Sequence, residues 1–203
     1  MKVLLLGACR GDFIEFLKSY NDIVVLQEDK MEETKLISEN LDYIISYGYR
    51  YIIPKSVVDY YKGKIINLHI SYLPWNRGAD PNLWSFLENT PKGVTIHYIN
   101  EGIDTGDIIT QKVINFSSEE TLATSYQKLK NEIELLFKKV WPQIRLGENS
   151  RTTQKGKGSY HNLKEKEKYL HLLYAGWDTP VHHLINATNE VRKENEGDYN
   201  RKY

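Results

Sequence analysis

Three side chains in the middle of this chain have the types and spacing for acyl chemistry: Asn67 and His69, two positions apart, and Asp104 further on. An amide can donate hydrogen bonds to a carbonyl oxygen on which charge is developing. An imidazole accepts a proton near neutral pH, its free pKa being about 6.5. A carboxylate can orient that imidazole or stabilise its cation. Together the three groups suit transfer of an acyl group between nitrogens.

The elements that must position them can be read around them. Lys64 to Ile70 is short, apolar and β-branched, the pattern of a strand. On a strand Asn67 and His69 share one face, while Leu68 and Ile70 point the other way into packing. The next stretch is irregular, because Pro74, Gly78 and Pro81, with Asn76 and Asp80 among them, force turns. A loop rich in Trp, Asn, Arg and Asp is where a rigid scaffold presents binding groups. A helix follows, with Asp80 or Asn82 near its start and Leu83, Trp84, Phe86 and Leu87 packing. Gly93 to Ile99 alternates like a strand and carries His97, read as a core or supporting residue. It ends in the loop Asn100 to Asp107, where Gly102 and Gly106 let the backbone take positive φ and approach a ligand. Ile108 to Phe116 resumes a strand.

Upstream, Lys2 to Leu6 reads as a buried strand, followed by a Gly7 to Asp12 turn and a helix holding Phe13, Ile14, Phe16 and Leu17. This is the opening of a Rossmann-like unit without the GxGxxG fingerprint, so no dinucleotide site is expected. The turn either meets an anion at the helix start or is only tight. Cys9 reads as a small packing residue. Further strands are expected at Ile23 to Gln27 and Asp42 to Tyr47. Helical segments are expected within Glu28 to Asn40 and, started by Pro54, at Lys55 to Tyr61. Such alternation predicts an α/β fold with a mainly parallel sheet.

Downstream, Ser117 or Ser118 can cap a core-facing helix bearing Leu122, Tyr126, Leu129, Ile133, Leu136, Phe137 and Val140, which Pro142 bends or ends. Gln154 to His161 mixes glycines, lysines and a Tyr-His pair, a loop suited to phosphates or a base. It leads into a helix at Leu163 to Tyr174. A terminal helix is expected at Pro180 to Val191 and a frayed tail at Arg192 to Tyr203.

With 203 residues the chain can hold one domain with a proper core and a short appendage. Lys+Arg and Asp+Glu both total 27, and this balance argues against nucleic acid as the main partner. No apolar run reaches a membrane span, so no membrane partner is expected. The first seven residues read as a strand, not a signal peptide. The single cysteine excludes an internal disulfide and fits a cytoplasmic location. No Cys/His/carboxylate cluster suggests a metal.

The string Asn67-x-His69, Leu73-Pro74-x-x-Arg77-Gly78-x-x-Pro81, Gly93-x-Thr95-x-His97 and Asp104-x-Gly106-x-Ile108 resembles the core of the folate-dependent formyltransferases. Four ordered sub-motifs make a specific match. The resemblance implies a Rossmann-like formyltransferase fold: a mostly parallel twisted sheet flanked by helices, with a short C-terminal extension. It implies a catalytic domain at 1–145 and an extension at 146–203. It also places Asn67, His69 and Asp104 in the catalytic triad, with N10-formyltetrahydrofolate as the formyl donor. Tyr49, Arg50, Tyr51, Ile52 and Ile53, together with Gly102 and Ile103, then lie beside the folate.

Within the family, the methionyl-tRNA enzymes add a C-terminal barrel domain and a basic surface. The glycinamide ribonucleotide enzymes carry a Gly-Ser-Asn loop where this chain has Gly7 to Asp12. The stretch Tyr72 to Asn82 with Trp84 is most similar to the sugar N-formyltransferases. That similarity implies a dTDP- or UDP-linked amino sugar as acceptor, in surface-glycan biosynthesis. It implies contacts from Trp75, Asn76, Arg77, Gly78, Tyr160 and His161. Exposed tyrosines or the last helix are where a homodimer would form. The rivals are a formyltetrahydrofolate hydrolase, another small-amine formyltransferase, and a non-catalytic module that binds folate or a nucleotide sugar.

Overall fold

A computed structural model describes residues 1–7, 11–30 and 32–187. The expectations for Cys9, for the end of the terminal helix and for Arg192 to Tyr203 lie outside the described residues. In chain order the elements are β1 (Lys2–Leu6), α1 (Gly11–Lys18), β2 (Ile23–Gln27), α2 (Glu33–Ser38), β3 (Tyr43–Ser46), α3 (Lys55–Tyr60), β4 (Ile65–His69), β5 (Arg77–Gly78), α4 (Pro81–Leu87), β6 (Gly93–Tyr98), β7 (Ile108–Val113), α5 (Leu122–Leu146) and β8 (Tyr160–His161). Short 3-10 helices follow at Glu165–Leu172 and Gly176–Asp178, then a helix over 181–187.

Six strands form one sheet in the order β2-β1-β3-β4-β6-β7. The first four are mutually parallel, β6 pairs antiparallel with β4, and β7 pairs antiparallel with β6. Val3, Leu4, Leu5 and Leu6 are each at most 1% exposed, which explains why β1 is an unbroken apolar run: helices cover both of its faces. One face packs on α1 and α5 through Phe13, Leu17, Phe137 and Trp141. The other packs on α2 and α3 through Leu36, Val57 and Val58. The chain leaves β1 toward β2 and comes back to β3 on β1's other side. The carboxyl ends of β1 and β3 therefore make a topological switch point, where open α/β sheets bind ligands. Gly7 lies at this point with φ +99°, and a Cβ there would meet the Tyr47 carbonyl oxygen at 2.2 Å. Only glycine lets the two exits run this close.

Several boundaries differ from expectation. Helix α5 starts at a Thr121 cap, not at Ser117 or Ser118. Thr121 and Thr124 satisfy each other's backbone N–H groups in a capping box. Pro142 does not end this helix but lies inside it, and the helix runs on to Leu146 and stops at Gly147 in the left-handed region. Asp80 precedes α4 at φ 50° without a side-chain cap, and its carboxylate pairs with Lys166 at 2.9 Å. Strand β7 ends at Val113, because Ile114 turns into the core. The segment expected as a helix from Leu163 is a 3-10 helix with no buried residue. Without an apolar stripe, nothing there drives a longer α-helix.

Trp141 anchors α5. It is fully buried, stacks on Phe137 at 5.1 Å and meets Tyr43 edge-on at 5.5 Å. Among the described residues its indole N–H has no hydrogen-bond partner, which trims its net contribution. Trp141→Ala is expected to cost about 3 kcal/mol, the lower end for a buried aromatic truncation. Urea unfolding at constant m-value would measure it.

Candidate active site

The antiparallel register of β4 and β6 sets Asn67 opposite His97 and His69 opposite Thr95. Across the sheet edge, the loop from Asn100 to Asp107 delivers Asp104 in the left-handed region, at φ 52°. A non-glycine residue there is uncommon, and such conformations gather at functional sites. Gly106 allows this turn, since a Cβ on it would fall 1.7 Å from the Tyr98 carbonyl oxygen.

Every oxygen of the Asp104 carboxylate is engaged. Oδ1 accepts from Asn67 Nδ2 at 3.0 Å and lies 3.4 Å from His97 Nε2. Oδ2 accepts from the Gly78 backbone N–H at 2.8 Å and lies 3.6 Å from His69 Nδ1. The side chain is 12% exposed. The nearby imidazoles and the Gly78 N–H outweigh burial and hold this carboxyl well below the usual carboxylate range. Asp104 is therefore a permanent anion and a poor base.

His69 is the opposite case. Burial, with His97 adding to it, pushes its pKa below the ordinary imidazole value against the opposing pull of Asp104 and the Asn76 carbonyl. Its Nε2 lies 3.1 Å from the Asn76 carbonyl oxygen. A carbonyl can only accept, so the neutral ring carries its proton on Nε2 and its lone pair on Nδ1, on the Asp104 side. His97 is fixed likewise: Nδ1 faces the Tyr98 carbonyl at 2.9 Å, leaving Nε2 to accept from Asn67 Nδ2 at 3.3 Å. Both N–H bonds of Asn67 thus point into the cluster, the longer one toward His97. The structure brings together Asn67, His69 and Asp104, and adds His97 as a fourth member, 1% exposed. The tight Gly93-x-Thr95-x-His97 spacing was the signal for it, but only the register shows the contact.

The other expected residues divide. Asn76, expected among the acceptor contacts, is fully buried. Its Nδ2 donates to Thr90 Oγ1 at 2.8 Å, its Oδ1 accepts from Ser159 Oγ at 3.2 Å, and its carbonyl carries His69. His161 also turns inward. It is buried, stacks on Trp84 at 3.8 Å, and stands between Glu165 at 3.1 Å and Glu88 at 3.3 Å. Arg77 commits its Nε and one Nη to Gln154. Gly78 stays close to the cluster through its N–H. Trp75, 37% exposed, and Tyr160, 49% exposed, face outward. The Tyr160 ring lies over Gly78, 3.0 Å from where a Cβ would be.

The chain leaving β3 runs beside the cluster, because Ser46 pairs with Asn67. There Tyr51 is 42% and Ile52 81% exposed, and Arg50 is exposed too. Tyr49 and Ile53 pack against the second core face. Gly102 and Ile103 are exposed on the Asp104 loop. Among the described residues, no group of His, Cys, Asp and Glu could hold a metal. No described helix is long and apolar enough to cross a membrane.

Comparison with known proteins agrees with this geometry. The sequence profile described as formyl transferase matches residues 20–140, which contain all four clustered residues. The formyltransferase PseJ from Anoxybacillus kamchatkensis, solved with UDP-4,6-dideoxy-4-formamido-L-AltNAc and tetrahydrofolate, is 56% identical. It superposes with a TM-score of 0.89 over 91% of this chain and 98% of that one. Methionyl-tRNA formyltransferase from Fusobacterium nucleatum is 35% identical over 63% of this chain. Phosphoribosylglycinamide formyltransferase from Bacillus subtilis is 34% identical over 66% of it. The match spans 43% of the Fusobacterium protein's length, so the chain covers less than half of that relative.

Proposed function

Because this chain belongs to the formyl transferase family, we propose that it moves the formyl group of N10-formyltetrahydrofolate onto the amine of a nucleotide-linked amino sugar. The carrying observation is the Asn67–His69–Asp104 cluster: a buried imidazole beside one oxygen of an ionised carboxylate, with an amide donor on the other oxygen. PseJ, whose bound compound is a UDP-linked 4-formamido sugar, supports a UDP-linked 4-amino sugar as the acceptor.

N10-formyltetrahydrofolate supplies the formyl carbon and leaves as tetrahydrofolate. Exposed apolar side chains, Tyr51 and Ile52, beyond the carboxyl end of β3 suit a flat ring system, and Arg50, Gly102 and Ile103 are exposed as well. Asn67 turns its weaker N–H, the one toward His97, to the formyl oxygen as charge grows there. His69 Nδ1 takes the proton of the attacking amine and gives it up to the folate N10 as the bond from N10 to the formyl carbon breaks. The resulting imidazolium lies between two acceptors, the Asn76 carbonyl and the Asp104 carboxylate. Asp104 stays ionised and orients both neighbours. Residues 1–145 carry this chemistry. The extension from 146 presents Tyr160 beside Gly78, where with Trp75 it offers stacking surface to the acceptor's base or sugar. A cytoplasmic setting and a surface-glycan route belong to this reading.

The test incubates the protein with N10-formyltetrahydrofolate and a panel of UDP-, dTDP- and GDP-linked 3-amino and 4-amino sugars, read by mass spectrometry. One formyl group gained by a UDP-linked 4-amino sugar is the expected result. Formate released with no acceptor modified would instead identify a hydrolase, and neither product would leave a binding module.

A further inference from the structure

We propose that Gln154 is a positioning residue for formyl transfer, fixing Asp104 from the backbone side; this rests on the function proposed above. Gln154 uses its whole amide. Its Oε1 accepts from Arg77 Nε at 3.2 Å and Nη2 at 2.7 Å. Its Nε2 donates to the carbonyls of Asp104 and Gly106, both at 2.8 Å. The Asp104 side chain meanwhile accepts from the N–H of Gly78, the neighbour of Arg77. A closed ring results: carboxylate to Gly78, Gly78 to Arg77 through the chain, Arg77 to Gln154, and Gln154 back to the Asp104 carbonyl.

The ring holds a backbone that would not hold itself. Asp104 lies in the left-handed region, which a residue with a Cβ adopts only at a cost that its surroundings must offset. Gln154 ties down its carbonyl and that of Gly106, at the two ends of that turn. Gln154 is itself anchored. Thr152 exchanges backbone hydrogen bonds with Ile108 at 2.8 and 2.9 Å, and Thr153 Oγ1 donates to Asp107 at 3.0 Å. Further on, β8 pairs with β5. Gln154 lies beyond residues 20–140, the stretch that defines the family here. What it controls is the distance between the Asp104 carboxylate and His69 Nδ1, now 3.6 Å.

Gln154→Ala removes the clamp. Gln154→Glu keeps an acceptor for Arg77 but has no N–H for either carbonyl. Both are expected to lower kcat about 10- to 100-fold with little change in either KM, the scale for a misplaced catalytic group. In the Asp104→Asn background, Gln154→Ala should add almost nothing, because the two act as a unit. The His69 titration, followed by NMR of ring-labelled protein, should move to lower pH in both Gln154 variants, since the carboxylate no longer supports the imidazolium. A purely structural role would reduce the folded fraction, leave that titration in place and multiply with Asp104→Asn. Wild-type kcat in both Gln154 variants, or an unmoved His69 titration, overturns the inference. If wild-type protein formylates no acceptor, the functional reading fails, and the His69 titration still decides whether Gln154 places Asp104.

Discussion

Asp104→Asn is expected to lower kcat about 10,000-fold, the scale seen when an amide replaces a carboxylate that orients a catalytic imidazole. The substitution keeps the volume but cannot keep the bonds. If the new amide leaves its oxygen with the Gly78 N–H, its NH2 faces the Asn67 N–H at Oδ1's place, donor against donor. Turned the other way, it loses Gly78 and presents N–H to His69 Nδ1, occupying the lone pair that should receive the amine proton. In both orientations the negative charge beside the imidazole is gone. The measurement is single-turnover formyl transfer at saturating substrates, with a thermal melt to confirm folding. A folded variant within tenfold of wild type would remove Asp104 from the mechanism.

His69→Asn comes next, with a loss of about 100- to 10,000-fold, the range of a general base. The wild-type pH profile of kcat/KM supplies the independent check. His69 works as the neutral base, and burial holds its pKa below the ordinary value of about 6.5. The rate should therefore fall on an acid limb centred below pH 6.5, and His69→Asn should abolish that limb. The titration of Asp104 lies far below this window and contributes nothing to it. A limb centred above 6.5, or one that persists without His69, would assign the base elsewhere.

Local pattern made part of this legible. The shared face of Asn67 and His69 follows from the two-residue period of a strand. The parallel half of the sheet follows from alternating apolar runs and helical stretches. What could not be read was pairing between distant segments. His97 enters the site only through the β4–β6 register. Gln154 reaches Asp104 across 50 positions, and nothing in a Gln-Lys-Gly-Lys-Gly stretch distinguishes that amide from a solvated one. Asn76 has the composition of a binding loop, yet its burial is decided by Thr90 and Ser159, which lie outside that loop. Caps failed in the same manner: Ser117 and Ser118 were the expected starts for α5, and the reciprocal Thr121–Thr124 pair won by satisfying two N–H groups at once.

The β5–β8 pairing bears on how new acceptor specificities can be built on this scaffold. Arg77 and Gly78 belong to the stretch that holds the carboxylate, while Tyr160 and His161 belong to the segment that would be exchanged to change the sugar. A chimera joined near 146 would import a foreign strand against Gly78 and a foreign residue at 154. Under the proposed function, this pairing would link selectivity and turnover mechanically at one seam. Transplants that carry Arg77–Gly78 and 149–161 together respect it, and those that cut between them trade rate for specificity.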